Sequence, residues 1–355
     1  MEKQNRDVIG LDIAKTIFHA HVAASDGKTG ESRRLRRKEL LDWAARCEPA
    51  LIGMEACATS QHWARELTAL GHDVKLMPAR YVKPYIKRGK SDAIDAAGIA
   101  EAVTRPTMRF VPAKSKEQQA ALMPHRTRAL LVRQRTALAN ALRNHFAEFG
   151  IVVPTGIAKL AELISTGAEE IGKSIPEAAR CCFAVLVNSY EGVTGNLKAV
   201  ECQIKEWHLR NDRSQRLSTI PGIGPITASA IAATITDAGA FRSGRDMAAW
   251  IGLVPRQTGT GGKTHLGRIS KQGDRMLRKL LVLGATALVR YARITARPTC
   301  LPDGLRCWIL GLLERRPARL VTIAIANKLA RTAWAVLSTG EAFRGDHRPR
   351  AYVMA

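Results

Sequence analysis

Two acids close short apolar runs, Asp12 in Gly10-Leu11-Asp12-Ile13-Ala14-Lys15 and Glu55 in Ile52-Gly53-Met54-Glu55-Ala56. A pair follows, Asp92 and Asp95, in Lys90-Ser91-Asp92-Ala93-Ile94-Asp95-Ala96. Ionised carboxylates in apolar surroundings repel one another unless a cation offsets the repulsion. On a helix, the i, i+3 spacing of Asp92 and Asp95 puts them on one face with Cβ atoms ~5–6 Å apart. Two strand-end acids facing such a pair make an oxygen-only pocket suited to Mg²⁺ or Mn²⁺. Two ions ~3.5–4 Å apart would clamp the attacking and leaving oxygens of a phosphodiester. Taken singly, each acid also reads as a helix cap, a first-turn acid or a turn residue. The strand, strand, helix order of all four favours the metal site.

The elements that must position them are legible around them. Residues 7–24 hold two β-prone runs separated by a turn, as in a hairpin, and residues 33–38 suit a third, edge strand. A helix is expected over 39–46, a buried strand over 50–55, a helix over 59–70 stopping at Gly71, and a strand over 73–77. The N-terminal third is therefore α/β. Just before the aspartate pair, residues 80–90 carry five positive charges and two tyrosines, Tyr81 and Tyr85, without an acid. These cations could deliver phosphates to the pocket while a tyrosine stacks on a base; a solvated basic face is the plainer alternative.

Farther on, residues 118–149 contain no glycine and a single proline, Pro124, and read as a long helix ending at Gly150. A second helical run, 175–209, would fold back on it as an antiparallel hairpin or join an intermolecular coiled coil. The last third opens with Pro221-Gly222-Ile223-Gly224 between apolar runs. This suits either a helix-hairpin-helix, whose glycines admit a phosphate to backbone N–H groups, or a simple turn. Helices follow to about 236 and over 244–251, 274–292 and 317–338, with a polar glycine-rich loop at 259–265.

The 355 residues include 55 Lys plus Arg against 31 Asp plus Glu, a formal charge of +24, which points to nucleic acid as partner. The longest apolar stretch, about 280–289, is too short to span a bilayer, so no membrane partner is expected. No signal-peptide core follows Met1, so the cytoplasm is the default location. Seven scattered cysteines without zinc spacing read as free thiols in a reducing compartment.

Together these phrases resemble a DEDD transposase of the Piv-like insertion-sequence family. The likeness extends from about Val8 to Ser338 and includes Gly252-Leu253-Val254-Pro255-Arg256 and Ile269-Ser270-Lys271-Gln272-Gly273-Asp274. It implies an α/β RNase H-like (RuvC-like) catalytic domain over 1–110 and a helical coiled-coil segment over 111–212. A mainly α C-terminal transposase domain with a helix-hairpin-helix would cover 213–340, with a tail over 341–355. It also implies that Asp12, Glu55, Asp92 and Asp95 are the DEDD metal ligands. Further implications are DNA recombination at element ends and targets, guidance by a structured RNA, and a homo-oligomer with shared active sites.

The resemblance further implies a covalent serine nucleophile in the C-terminal domain, and here the chain departs from the pattern. The position counted from Leu253-Val254-Pro255-Arg256 is Thr260. Its hydroxyl can still be activated, although the methyl crowds in-line attack. Thr260 as nucleophile, substitution by Thr258 or Ser270, and an impaired copy are the readings open. For the whole protein the sequence favours a metal-dependent DNA transposase or recombinase. A junction-resolvase-like endonuclease and a non-catalytic nucleic-acid-binding protein are the alternatives.

Overall fold

The computed structural model describes residues 7–23, 30–86, 91–166, 174–294 and 301–345. The chain divides into two compact units, Met1–Lys116 and Glu117–Ala355.

The first unit is built on five strands: β1 (Val8–Ile13), β2 (Ile17–Ala23), β3 (Glu31–Arg36), β4 (Leu51–Glu55) and β5 (Asp73–Met77). Their order is β3-β2-β1-β4-β5, antiparallel across β1, β2 and β3 and parallel across β1, β4 and β5. The expected hairpin and edge strand are both present. The central strands read as near-continuous apolar runs because both faces of the sheet are covered. On one face Leu11, Phe18, Ile52 and Met54 pack with Leu40 of α1 (Leu40–Ala44) and with Trp63 and Leu67 of α2 (Ser60–Ala69). The other face carries α4 (Asp92–Val103), whose Ile99, Ala102 and Val103 pack with Met77 and Val82. This mixed sheet is consistent with the RNase H-like expectation.

Between β5 and α4 lie α3 (Ala79–Val82) and a 3-10 turn at Lys83–Tyr85. Residues 87–90 of the basic run lie outside the described residues. Both tyrosines of that run already have company. Tyr85 packs against the cluster under α4 with the Arg105 guanidinium 5.6 Å from its ring, and Arg80 lies 4.4 Å from the ring of Tyr81.

The second unit is mostly helical. The helix expected over 118–149 is α5 (Lys116–Glu148), which runs through Pro124 without ending. It is followed by α6 (Ile157–Thr166) and α7 (Glu177–Leu209). Near one end, Arg128 Nε donates to Glu201 Oε1 at 2.8 Å; near the other, the rings of Phe146 and Phe183 stack at 4.9 Å. These contacts set α5 and α7 side by side and antiparallel, closed around Leu142, Leu160 and Tyr190.

A separate core joins α8 (Asp212–Ser218), α9 (Pro225–Thr234), α10 (Gly244–Ile251), α11 (Arg275–Arg293), α12 (Asp303–Arg315) and α13 (Ala318–Thr339). Three helices start on side-chain caps that satisfy a first-turn N–H. Asn211 accepts from Ser214, Ser243 from Asp246 and Asp274 from Leu277. The structure departs from the sequence reading at two places. Residues 259–265 are not a loop but the tip of a hairpin, β6 (Pro255–Thr260) and β7 (Lys263–Ile269), with residues 261 and 262 between the strands. Helix α12 was not anticipated. The apolar stretch 280–289 lies within α11; among the described residues the helix to weigh for a membrane is α13. It is long and apolar enough to cross a membrane, yet Val321, Ile325, Leu329 and Ala333 pack it into this core.

Candidate active site

β1 and β4 are parallel neighbours in register, with Gly10 opposite Gly53 and Leu11 opposite Met54, so the next residues along are Asp12 and Glu55. Side chains alternate along a strand. Because Leu11 and Met54 face α1 and α2, Asp12 and Glu55 face the side that carries α4. Helix α4 lies unusually close there. A Cβ on Gly10 would stand 2.0 Å from the Ala96 carbonyl oxygen and 2.4 Å from the Ala100 nitrogen, and one on Gly53 would stand 2.8 Å from Val103 Cβ. The missing side chains of two glycines thus let α4 lie close on the sheet, its middle over β1 and its last turn over β4, which brings its first turn to the end of β1 beside β2. That turn carries Asp92 and Asp95.

The structure brings three of the four predicted acids into one group. Carboxylate oxygens of Asp12, Asp92 and Asp95 all lie within 4.8 Å of one another. Glu55 lies outside that tight group but within its field. Burial, then Asp12 and Asp95, push its carboxyl above the usual glutamate range. Asp12 is raised in the same way by burial, then Asp95 and Asp92, against the opposing pull of His19 and of the Ile13 N–H. The dipole at the start of α4 favours its two aspartates, so the capping explanation accounts for them. It leaves unexplained why a half-buried third carboxylate points at them. An all-oxygen donor set whose members repel one another fits a hard divalent cation such as Mg²⁺ or Mn²⁺.

Sequence reasoning missed His19. It stands opposite Asp12 on β2, and its Nε2 lies 3.3 Å from Asp92 Oδ2. The signal was present, since the short connection between β1 and β2 fixes which residue faces Asp12.

Thr260, in the second unit, is the last residue of β6, exposed and paired with Lys263 across the turn. Thr258 lies two residues back, also exposed, opposite His265. Ser270 is at the base of the hairpin, where its hydroxyl accepts the Gln272 N–H at 3.5 Å, a local cap. The base is fixed by backbone contact. Ser270 N–H donates to the Val254 carbonyl and Lys271 N–H to that of Gly252, at 2.8 and 3.1 Å. Gly252 ends α10 in the left-handed region (φ +83°), and a Cβ there would meet the Gln272 carbonyl oxygen at 2.2 Å. The phrases around Gly252 and Gly273 therefore meet as a clamp that holds the ribbon carrying Thr260. At the turn 219–224, a Cβ on Gly222 would meet Leu288 Cδ1 at 2.8 Å, and one on Gly284 would meet the Gly222 carbonyl oxygen at 2.0 Å. The glycine of the suspected helix-hairpin-helix thus serves close packing on α11.

Comparison with known proteins agrees with this architecture. A DEDD model of the IS110 type, described as Transposase, matches residues 9–151, and the family described as Transposase IS116/IS110/IS902 matches residues 214–298. A protein described as a probable family 20 transposase, from Pseudomonas aeruginosa, is 44% identical over 342 residues, 96% of this chain and 99% of its own. The transposase for insertion sequence element IS1328 of Yersinia enterocolitica is 39% identical over 340 residues, 96% and 99% of the two chains. That for insertion sequence element IS1111A of Coxiella burnetii is 34% identical over 341 residues, 95% and 91%. The chain belongs to the IS110/IS116 family of insertion-sequence transposases, enzymes that process DNA.

Proposed function

We propose that this transposase cuts and exchanges DNA strands at the ends of its element, through a divalent-cation site held by Asp12, Glu55, Asp92 and Asp95, with Thr260 as nucleophile. The observation that carries this reading is the convergence of three carboxylates within 4.8 Å where β1 meets the start of α4. Mg²⁺ or Mn²⁺ held there supplies charge stabilisation to the phosphodiester oxygens. The chain's own part is positional: β1 and β4 fix Asp12 and Glu55, and the first turn of α4 sets Asp92 and Asp95 against them.

In the covalent step Thr260 Oγ1 gives up its proton and attacks phosphorus, forming an O–P bond as the P–O3′ bond breaks. The departing 3′ oxygen takes a proton and becomes a 3′ hydroxyl. Exchange is completed when the 3′ hydroxyl of the recombining strand attacks the phosphorus and Thr260 regains its proton. Position on the exposed tip of the ribbon favours Thr260 over Ser270, whose hydroxyl is engaged at the base. Because carboxylates and hydroxyl belong to different units, we assign catalysis to a homo-oligomer in which one copy presents Thr260 to another's carboxylates. The charge of +24 suits both DNA and a structured guide RNA.

The test is to incubate the protein with its own element's DNA ends, RNA transcribed from the element and Mg²⁺, then look for nucleotide-modified peptides by mass spectrometry. A nucleotide on Thr260 is the expected result. An adduct on Thr258 or Ser270 would move the role there, and cut strands without any adduct would replace covalent exchange by attack of water.

A further inference from the structure

We propose that a recess between the β1–β2 turn and the end of β3 anchors the phosphodiester backbone of the DNA strand that the carboxylates act upon. This rests on the reading of the carboxylate cluster as the place where DNA is cut. The recess has a volume of about 750 Å³ and is lined by Lys15, Thr16, Arg36, Arg37, Lys38 and Trp63. Its four cations are exposed. Among the described residues no carboxylate pairs with Lys15, Arg37 or Lys38; Arg36 has one acid nearby, its Nε 3.9 Å from Glu39 Oε1. Like charges gathered in a concavity repel one another, and an anion seated among them removes that cost.

A plainer explanation exists for part of this charge. β3 is an edge strand, and basic side chains on an edge deter pairing with other chains. That accounts for Arg33, Arg34 and Arg36 along the strand. It does not account for Lys15, which comes from the turn after β1, nor for a concave site with apolar walls at Ile17 and Leu41. Arg37 is held without a carboxylate, its guanidinium 4.9 Å from the Trp63 ring and 5.9 Å from that of Phe18, which leaves N–H groups for an incoming acceptor. Cationic rim and apolar wall together match a nucleotide, phosphate outward and sugar or base inward.

Location ties the recess to the cutting site. Lys15 lies three residues beyond Asp12 on the same chain segment. Across the sheet, Asp12, His19 and Arg34 stand in one row, which puts Arg34 two strand spacings, ~10 Å, from Asp12. That span is about three base steps of a duplex at ~3.4 Å each. Arg34 belongs to that row and not to the recess, which Trp63 and Leu41 place on the α1 and α2 side of the sheet; a strand lying on the carboxylates reaches it by passing round the end of β1 at Lys15.

Binding can be read without cutting by using the full chain carrying Asp12→Asn. Its affinity for fluorescein-labelled element-end DNA, single-stranded and duplex, is measured over a salt series with and without Lys15→Gln and Lys38→Gln. The double substitution should weaken binding about tenfold or more. It should also lower the slope of log K against log salt by roughly 1.4 for single strands and 1.8 for duplex, as expected when two phosphates are no longer neutralised by the protein. Both lysines are exposed, so the melting temperature should not move; Lys75→Gln, which removes a cation paired with Asp73 on β5, is the control for generic charge. Affinity and slope within twofold of the parent, or a loss no larger than that of the control, would each overturn the proposal. Failure of the carboxylate reading would appear separately, as cutting by the Asp12→Asn protein itself.

Discussion

At Asp12 the burial of a charge and the repulsion of Asp95 and Asp92 act in the same direction, so without a cation this carboxylate is a local cost of the fold. Its pKa in the folded chain is raised above the ordinary value of 3.8. The stability it contributes is therefore fully present below that value and is lost as pH rises through the folded pKa. Asp12→Asn should consequently gain stability relative to the parent as pH rises from about 4 towards 7, measured as the difference in urea midpoint without divalent ions. Mg²⁺ should reverse the ranking. At ten times its dissociation constant it stabilises the parent by about 1.4 kcal/mol, a melting shift of a few degrees that Asp12→Asn should not show. Equal Mg²⁺ response in both proteins would remove Asp12 from the cation site.

At the scale of elements, the site depends on how closely α4 lies on the sheet. Gly10→Ala drives a methyl into the Ala96 carbonyl and must lift the helix that carries Asp92 and Asp95. We expect a loss of about 1–3 kcal/mol or more in denaturant unfolding, together with loss of the Mg²⁺-induced melting shift. Parent-like stability and Mg²⁺ response would contradict this geometry. On α5, burial and then Arg128 lower the pKa of His125 to about 4. A depressed histidine contributes stability above its unfolded value of 6.5 that is lost as pH falls through 4. Stability should fall over that window by at most about 1.4 kcal/mol per pH unit, and His125→Leu should flatten the profile. The strands of the first unit were legible because buried apolar runs alternate with turn residues, and the i, i+3 aspartates placed themselves on one helix face. The β6–β7 ribbon was not, since both strands are exposed almost throughout and carry no hydrophobic alternation. Helix α12 was hidden by Gly304 and Gly311 within its run. The closeness of α4 was written in Gly10 and Gly53, but nothing in one sequence says what a missing side chain makes room for.

At the scale of the whole molecule, the proposed catalytic set, with its acids in one unit of the chain and its hydroxyl in the other, has a consequence for mixtures. Asp12→Asn and Thr260→Ala proteins, each inactive alone, should regain part of the activity when co-assembled, because a mixed oligomer pairs intact carboxylates of one copy with the intact hydroxyl of another. No recovery in co-expressed, co-purified oligomers would assign both groups to one chain. The central claim is that four acids in a strongly basic protein hold the cation for strand exchange. It is tested most directly by assaying Asp12→Asn and Asp95→Asn for exchange of labelled element ends in Mg²⁺, with DNA binding measured in parallel. The account predicts exchange reduced to background in both variants and in the parent with chelator, with binding within about twofold of the parent because phosphate contacts come from Lys and Arg. Parent-level exchange by either variant, or exchange by the parent in chelator, would contradict it.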